Sequence, residues 1–170
     1  ADFADNFNGT ADYGTDGAGT TVYSLMLIGS DVNSALYALD GGGSPGQGSQ
    51  IVLNQSSNTV TGSVGSTDYF TITINSSTGK ITFTQFENIW HADTGDHDDP
   101  AILTTASASD LKIVQTITDR DGDTNTGSIN LGANTFKIED DGPSTSANLL
   151  VIADEDDLPA GNGDMVTGDD

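Results

Sequence analysis

The residues in this chain best suited to chemistry are carboxylates, and they are grouped. Thr118-Asp119-Arg120-Asp121-Gly122-Asp123-Thr124 places three Asp at alternate positions around one glycine, and Lys137-Ile138-Glu139-Asp140-Asp141-Gly142-Pro143 follows it. Asp carries an oxygen donor on a short stem, which suits turns and close metal loops more than helices. Carboxylates gathered at one place repel unless a cation sits among them. Calcium is the ion such a set would take: it is hard, accepts six to eight oxygens and tolerates irregular geometry. Asp119, Asp121, Asp123, Asp140 and Asp141 are therefore the principal candidate ligands. The loop is not an EF-hand. Gly122 falls at its fourth position where that motif has its glycine at the sixth, and Asn130 stands where the bidentate Glu belongs.

Elsewhere the candidates are sparser. Asp12 and Asp16 lie in an Asn/Asp/Gly-rich stretch that reads as turns and offers a second cluster. Between Gln85 and Ile102, His91, Asp93, Asp96, His97, Asp98 and Asp99 are close in sequence. Their spacing fits no zinc signature, so this segment reads as an acidic loop with Asp93 and Asp96 as further calcium ligands. Nucleophilic catalysis has no candidate centre: there is no Cys and no Gly-X-Ser-X-Gly elbow. A pair of glycosidase acids is favoured by no feature.

The elements that must position these loops read as strands. Alternating apolar and polar residues mark strands at Thr20 to Ile28, Ser34 to Leu39, Gln50 to Leu53, Asn58 to Val64 and Tyr69 to Ile74. Ser76-Ser77-Thr78-Gly79 turns the last of these into a partner at Lys80 to Phe86. A short helical turn is expected at Glu87 to Trp90, with Trp90 plugging an end of the core. Leu111 to Ile117 leads into the acidic loop and Thr126 to Leu131 leads out of it. Thr135 to Ile138, after Gly132-Ala133-Asn134, is expected to run back antiparallel to the strand at 126–131 and so bring Asp140 and Asp141 beside Asp119. Asn148 to Ala153 reads as one more strand, and the Gly/Asp-rich remainder as loose chain.

These signals together give an all-β fold, an antiparallel two-sheet β-sandwich of immunoglobulin-like, Greek-key type, followed by an acidic C-terminal linker. The expected core is Val22, Leu25, Leu27, Ile51, Leu53, Phe70, Ile72, Ile81, Phe83, Ile113, Ile117, Ile129, Leu131, Phe136 and Ile138. Pro143 reads as a domain terminus, so residues 1–143 form the calcium-binding sandwich and 144–170 a linker with the first strand of a following repeat.

Composition limits the partners. The 170 residues carry 26 acids against 4 basic residues, a net charge of -22, and this excludes nucleic acid or an anionic membrane surface as a direct partner. No run approaches the roughly 20 apolar residues of a membrane helix, and the acidic opening Ala1-Asp2-Phe3-Ala4-Asp5 carries no signal-peptide pattern. Without Cys, a secreted domain must be held by its core, by metal or by neighbouring domains.

The order of the pieces resembles the large repeat domain of type I-secreted RTX adhesins of Gram-negative bacteria, of the kind that includes "split" domains. The resemblance rests on Tyr-Gly-Thr-Asp-Gly-Ala-Gly at 13–19, Phe-Thr-Ile and Gly-Lys-Ile-Thr-Phe-Thr-Gln within 70–85, and Trp-His at 90–91. It continues with Thr-Asp-Arg-Asp-Gly-Asp-Thr at 118–124 and Ile-Glu-Asp-Asp-Gly-Pro at 138–143. Asp154-Glu155-Asp156-Asp157-Leu158-Pro159 is similar to the opening of a next repeat. The resemblance implies a calcium-stabilised sandwich in a long, secreted cell-surface protein for adhesion and biofilm formation. Its partners would be neighbouring repeats of the same chain, with surface ligands held by other domains, and the unit itself would be a monomer. Split copies carry an inserted ligand-binding module, for which the loop at 41–49 is the matching place, though nothing is inserted there. Three functions compete: a calcium-rigidified extender or scaffold domain, which is the reading adopted; a sugar- or peptide-binding module of the same adhesin; and an enzyme, which is not expected.

Overall fold

The computed structural model describes residues 1–7, 12–39, 42, 46–93, 95–96 and 98–139. The expected strand at 148–153, the linker, Asp140, Asp141, His97 and residues 41 and 43–45 of the 41–49 loop lie outside them, while 47–49 of that loop belong to a strand. The fold is all-β, with ten antiparallel strands among the described residues: β1 (Ala18–Leu27), β2 (Val32–Leu39), β3 (Gln47–Ser56), β4 (Thr59–Val64), β5 (Thr67–Ile74), β6 (Ile81–Gln85), β7 (Pro100–Thr104), β8 (Leu111–Asp119), β9 (Thr124–Asn130) and β10 (Ala133–Glu139). Among the described residues, helix is limited to two single 3₁₀ turns, Ala4–Asn6 and Ala108–Asp110.

One layer of the sandwich is a five-stranded meander in the order β2-β3-β4-β5-β6, and facing it is a three-stranded sheet in the order β1-β8-β9. β7 and β10 form a separate two-stranded pair. The meander follows from its turns. Asn75 Oδ1 accepts hydrogen bonds from the backbone of Ser77 and Thr78, and Gly79 supplies the positive φ that ends the turn and starts β6. β8 lies between β1 and β9, so the chain's first strand is the neighbour of its eighth, a crossover that ties the two ends of the described chain together.

The core lies between the layers. Leu25, Leu36, Ile51, Leu53, Val60, Phe70, Ile72, Leu103, Leu111, Ile113 and Leu131 are buried, with Tyr23, Leu27, Ile74, Ile81, Ile89 and Ile138 completing the cluster. Phe83, Ile129 and Phe136 pack against it partly buried. Val22 is a correction: it is 45% exposed. In a strand, alternate residues share a face, so Tyr23, Leu25 and Leu27 turn inward and Val22 and Met26 turn to solvent. Ile117 is only half-buried, where β8 rises toward the acidic loop.

Two further expectations are corrected. The strand after Gly132 does not pair with β9. β10 pairs with β7, with Lys137 opposite Ile102 and Glu139 opposite Pro100. Gly132 is the cause: its N–H donates to Ala108 O and its carbonyl accepts from Thr105 N, so the turn is fastened to the 105–108 segment and the chain leaves the sheet there. The second concerns Glu87 to Trp90, which is extended and not helical. Ile89 bridges to Ala38, and Trp90 N donates to Tyr37 O, so this segment covers the edge of β2. The buried residue there is Ile89, whereas Trp90 is half-buried on the outside.

Other strand edges among the described residues are covered too, which blunts edge-to-edge pairing. The edge of β6 is met by Ala1 and Asp2, through Ile81 N to Ala1 O and a bridge from Asp2 to Lys80. The free edge of β1 is met by a side chain: Gln55 Oε1 accepts from Leu27 N at 2.6 Å and its Nε2 donates to Leu25 O at 2.7 Å, as a neighbouring strand would.

Candidate functional site

β8 ends at Asp119 and β9 begins at Thr124, and the four residues between them form the acidic loop. Asp119 organises it. Its Oδ1 accepts hydrogen bonds from Gly122 N at 3.0 Å and Asp123 N at 2.8 Å, and its own N–H donates to Asp123 O at 3.0 Å. Gly122 has φ +107, a conformation a side chain would strain. Local hydrogen bonding therefore fixes Asp119 and leaves Asp121 at the exposed tip.

A second loop meets the first from the start of β1. Asp12 Oδ1 accepts from Gly14 N at 3.0 Å, and Gly14 and Gly17 take φ of +68 and +91, which curls residues 12–17 back over the strand end. The pairing of β1 with β8 then carries this loop to the acidic one, with Ala18 opposite Asp119 and a bulge between Ala18 and Thr20. Gly19 occupies the bulge. A Cβ on it would lie 2.2 Å from Thr118 O and 2.5 Å from Asp119 O, which is backbone that cannot swing away.

The outcome is a group of three carboxylates. Oxygens of Asp16, Asp119 and Asp121 lie within 4.8 Å of one another. Beside them is a depression of about 120 Å³ lined by Asp12, Tyr13, Ile117, Asp119, Asp123 and the start of β9. Arg120 is in the same loop, yet among the described residues the one ion pair is Lys137–Glu139. The cluster is thus uncompensated by protein cations. The carboxylates influence one another: a hydrogen bond from the Asp121 side chain, helped by backbone N–H groups of Asp123 and Gly122, holds Asp119 below the usual carboxylate range. The same contact, followed by repulsion from the Asp119 charge, pushes Asp121 up. Together they hold a proton longer than two separated Asp would.

Asp119 and Asp121 come together as the spacing implies. Asp16 joins them, instead of forming a second cluster with Asp12. Asp123 stands in the lining of the depression, and its backbone, both donor and acceptor, braces Asp119. Asp140 and Asp141 fall outside the described residues. Asp93 and Asp96 are in another loop, where Asp93 N donates to Asp99 Oδ2 at 2.7 Å and Asp98 N to Asp96 Oδ1 at 3.1 Å; among the described residues these acids form no metal-sized group. Asp93 Oδ1 accepts from Gly95 N at 2.9 Å, so both side chains act as turn acceptors, the ordinary work of Asp in loops. Gly19 is a residue that sequence reasoning does not single out; its signal is the Gly-Ala-Gly run at the strand start.

The donor set is all oxygen, with three formal negative charges and neither nitrogen nor sulfur among the clustered groups. Such a set fits a hard divalent cation and does not fit zinc, copper or iron. Asp16, Asp119 and Asp121 are the residues that would hold such a cation, which would supply charge neutralisation and a tie between the 12–17 and 119–123 loops.

The model of one family, described as "Domain of unknown function (DUF5801)", matches residues 1–132. Neither a curated protein nor a solved structure matches the chain.

Proposed function

We propose that this chain, which belongs to the DUF5801 family, is a calcium-stabilised structural domain, an extender or scaffold unit, of a large secreted bacterial adhesin of the RTX type, a reading that rests on its sequence resemblance and its acidic cluster. The observation that carries this reading is the convergence of Asp16, Asp119 and Asp121, from two loops far apart in sequence, at one end of the sandwich, with no basic residue paired to them among the described residues. A cation there would join the start of β1 to the β8–β9 turn. In a chain of net charge -22 it would also reduce self-repulsion. The domain then does mechanical work: calcium outside the cell sets its rigidity, neighbouring repeats are its partners, and adhesion and biofilm formation are functions of the whole protein at the cell surface. No catalytic role is assigned to it.

Calorimetric titration with calcium tests the reading. Binding is expected with Kd on the order of 10⁻⁴–10⁻³ M, as in extracellular modules. Asp119→Ala removes the carboxylate that also braces the loop and should abolish binding at that site. Gly19→Ala keeps every ligand but forces the two loops apart, so it should weaken binding while the protein stays folded by circular dichroism. Absence of calcium binding to the folded wild-type protein, or wild-type affinity in Asp119→Ala, would overturn the proposal.

A further inference from the structure

A second site lies on the outer side of β2, and it shares no residue with the acidic depression. It is an open groove of about 200 Å³ formed by Ala35 and Tyr37 of β2, Trp90 and Ala92 of the extended segment that covers its edge, Asp99 just before β7 and Ile102 within it. Tyr37 and Trp90 stand edge to face, ring centroids 6.3 Å apart and planes at 86°. Two rings at right angles leave a corner walled by ring faces. Both residues are half-buried, and Ile102 is 37% exposed although it is apolar.

The backbone beside this corner is strained. Ala35 has φ +58 inside a strand, a region an L-residue with a Cβ rarely occupies. Asn33 sustains it by accepting the Ala35 N–H on its Oδ1 at 2.7 Å, and the pairing of β2 with β3 shifts register between Asn33 and Tyr37. Such strain persists where the surroundings over-determine it, and it concentrates at functional sites. The polar member of the groove is Asp99. Its carbonyl meets His91 Nδ1 at 2.7 Å and its Oδ2 accepts from Asp93 N, while Oδ1 has no partner among the described residues. The adjoining loop adds Asp93, Asp96 and Asp98, all exposed.

From this we infer that the groove takes the side chain of a lysine from an extended basic segment of a partner protein. The groove offers an apolar wall for the methylene stem, aromatic faces for a cation and one carboxylate for the ammonium. Charge complementarity selects the sign, because the face is acidic and the whole chain carries -22. A neutral apolar side chain would leave the carboxylate without a counter-charge, and an acidic one would be repelled.

Trp90 is the one Trp in the chain, so its fluorescence reports this groove alone. The protein, saturated with calcium and in about 0.15 M salt to screen distant charges, is titrated with the pentapeptide Gly-Ser-Lys-Ser-Gly. Parallel titrations use the same peptide with Nε-acetyl-lysine, the same peptide with norleucine, and a glucosamine oligosaccharide. The lysine peptide should change Trp90 emission saturably in the millimolar range, and the two neutral peptides should bind about fivefold more weakly or not at all. Asp99→Asn keeps an acceptor for Asp93 N and should reduce lysine-peptide affinity by a similar factor, whereas Asp5→Asn, an exposed acid beside the opposite edge of the meander, should leave it unchanged. Equal response to lysine and norleucine, tighter binding of the sugar, wild-type affinity in the folded Asp99→Asn protein, or no saturable change would each overturn the inference. None of these results depends on whether calcium stabilises the domain.

Discussion

Phe70→Ala should be the most damaging single truncation in the core, lowering stability by about 3–5 kcal/mol and the melting temperature by on the order of 10 °C for a chain of this size. Phe70 is fully buried on β5, stacks on Phe83 at 5.0 Å between centroids, and Phe83 in turn stacks on Phe136 at 5.8 Å. This row connects β5 and β6 to β10, so one ring supports both the meander and the docking of the β7–β10 pair. Phe70 is also the cross-strand partner of Gly62, and its ring occupies the place of the missing side chain. A Cβ at Gly62 would lie 2.3 Å from Phe70 Cζ. Gly62→Ala should therefore cost ~1–3 kcal/mol by overpacking. The double mutant gives the sharper check. Once the ring is gone the new methyl group has room, so the two losses should sum to more than the measured loss in the pair. Urea melts of the four proteins measure this, and strict additivity would show that the ring and the glycine are not coupled as described.

How much of this is legible in the sequence depends on whether the signal is local. The β5–β6 hairpin can be read because its turn is written in adjacent residues: Asn75 accepts from Ser77 and Thr78, and Gly79 takes φ +68. The destination of β10 cannot. Gly132-Ala133-Asn134 has the composition of a hairpin turn, yet hydrogen bonds to Thr105 and Ala108 redirect the chain, and these partners lie in a segment with no pattern of its own. β7 escapes the pattern for a related reason. It is short, begins at Pro100 and follows an acidic loop, and its burial comes chiefly from Leu103. Val22 is misplaced when an apolar run is treated as one face; parity along the strand assigns the inward position to Tyr23, whose hydroxyl accepts from Gln115 Nε2.

The candidate site divides in the same way. Asp119 and Asp121 flank a loop closed by its own hydrogen bonds, and the glycine that permits the loop lies inside the motif. Asp16 comes from the far end of the chain. Its arrival depends on the β1–β8 register and on the bulge at Gly19, neither of which alternation of residue types can fix. The groove at Trp90 is hidden by the assumption that a lone Trp plugs a core. The extended path of residues 88–90 along β2 buries Ile89 and turns the indole outward.

Calcium should raise the melting temperature, and Asp121→Asn should separate attraction to the ion from repulsion among the acids. A site filled at ten times its Kd stabilises the fold by RT ln 11, about 1.4 kcal/mol, or roughly 3–6 °C for a domain of this length. In EGTA the variant should melt above the wild type, because it removes one of three clustered charges and keeps an oxygen of the same reach. In calcium the order should reverse, since the variant binds the ion less well. The pH dependence has a definite sign. Asp121 has its carboxyl pushed up by Asp119, so the folded chain holds a proton that the unfolded chain has released. In EGTA this contribution favours folding at low pH and is lost as pH rises from the ordinary Asp value of about 3.9 through the raised value. Asp119 is held low, so its contribution is present above the ordinary value and is lost only when pH falls through its own folded value, below that window. Calcium competes with the Asp121 proton, and the increment it gives should be larger at pH 7 than near pH 4. Scanning calorimetry in calcium, magnesium and EGTA at both pH values decides the matter. Equal melting temperatures in calcium and EGTA at pH 7, or a variant less stable than the wild type in EGTA, would rule out a cation-tied acidic junction.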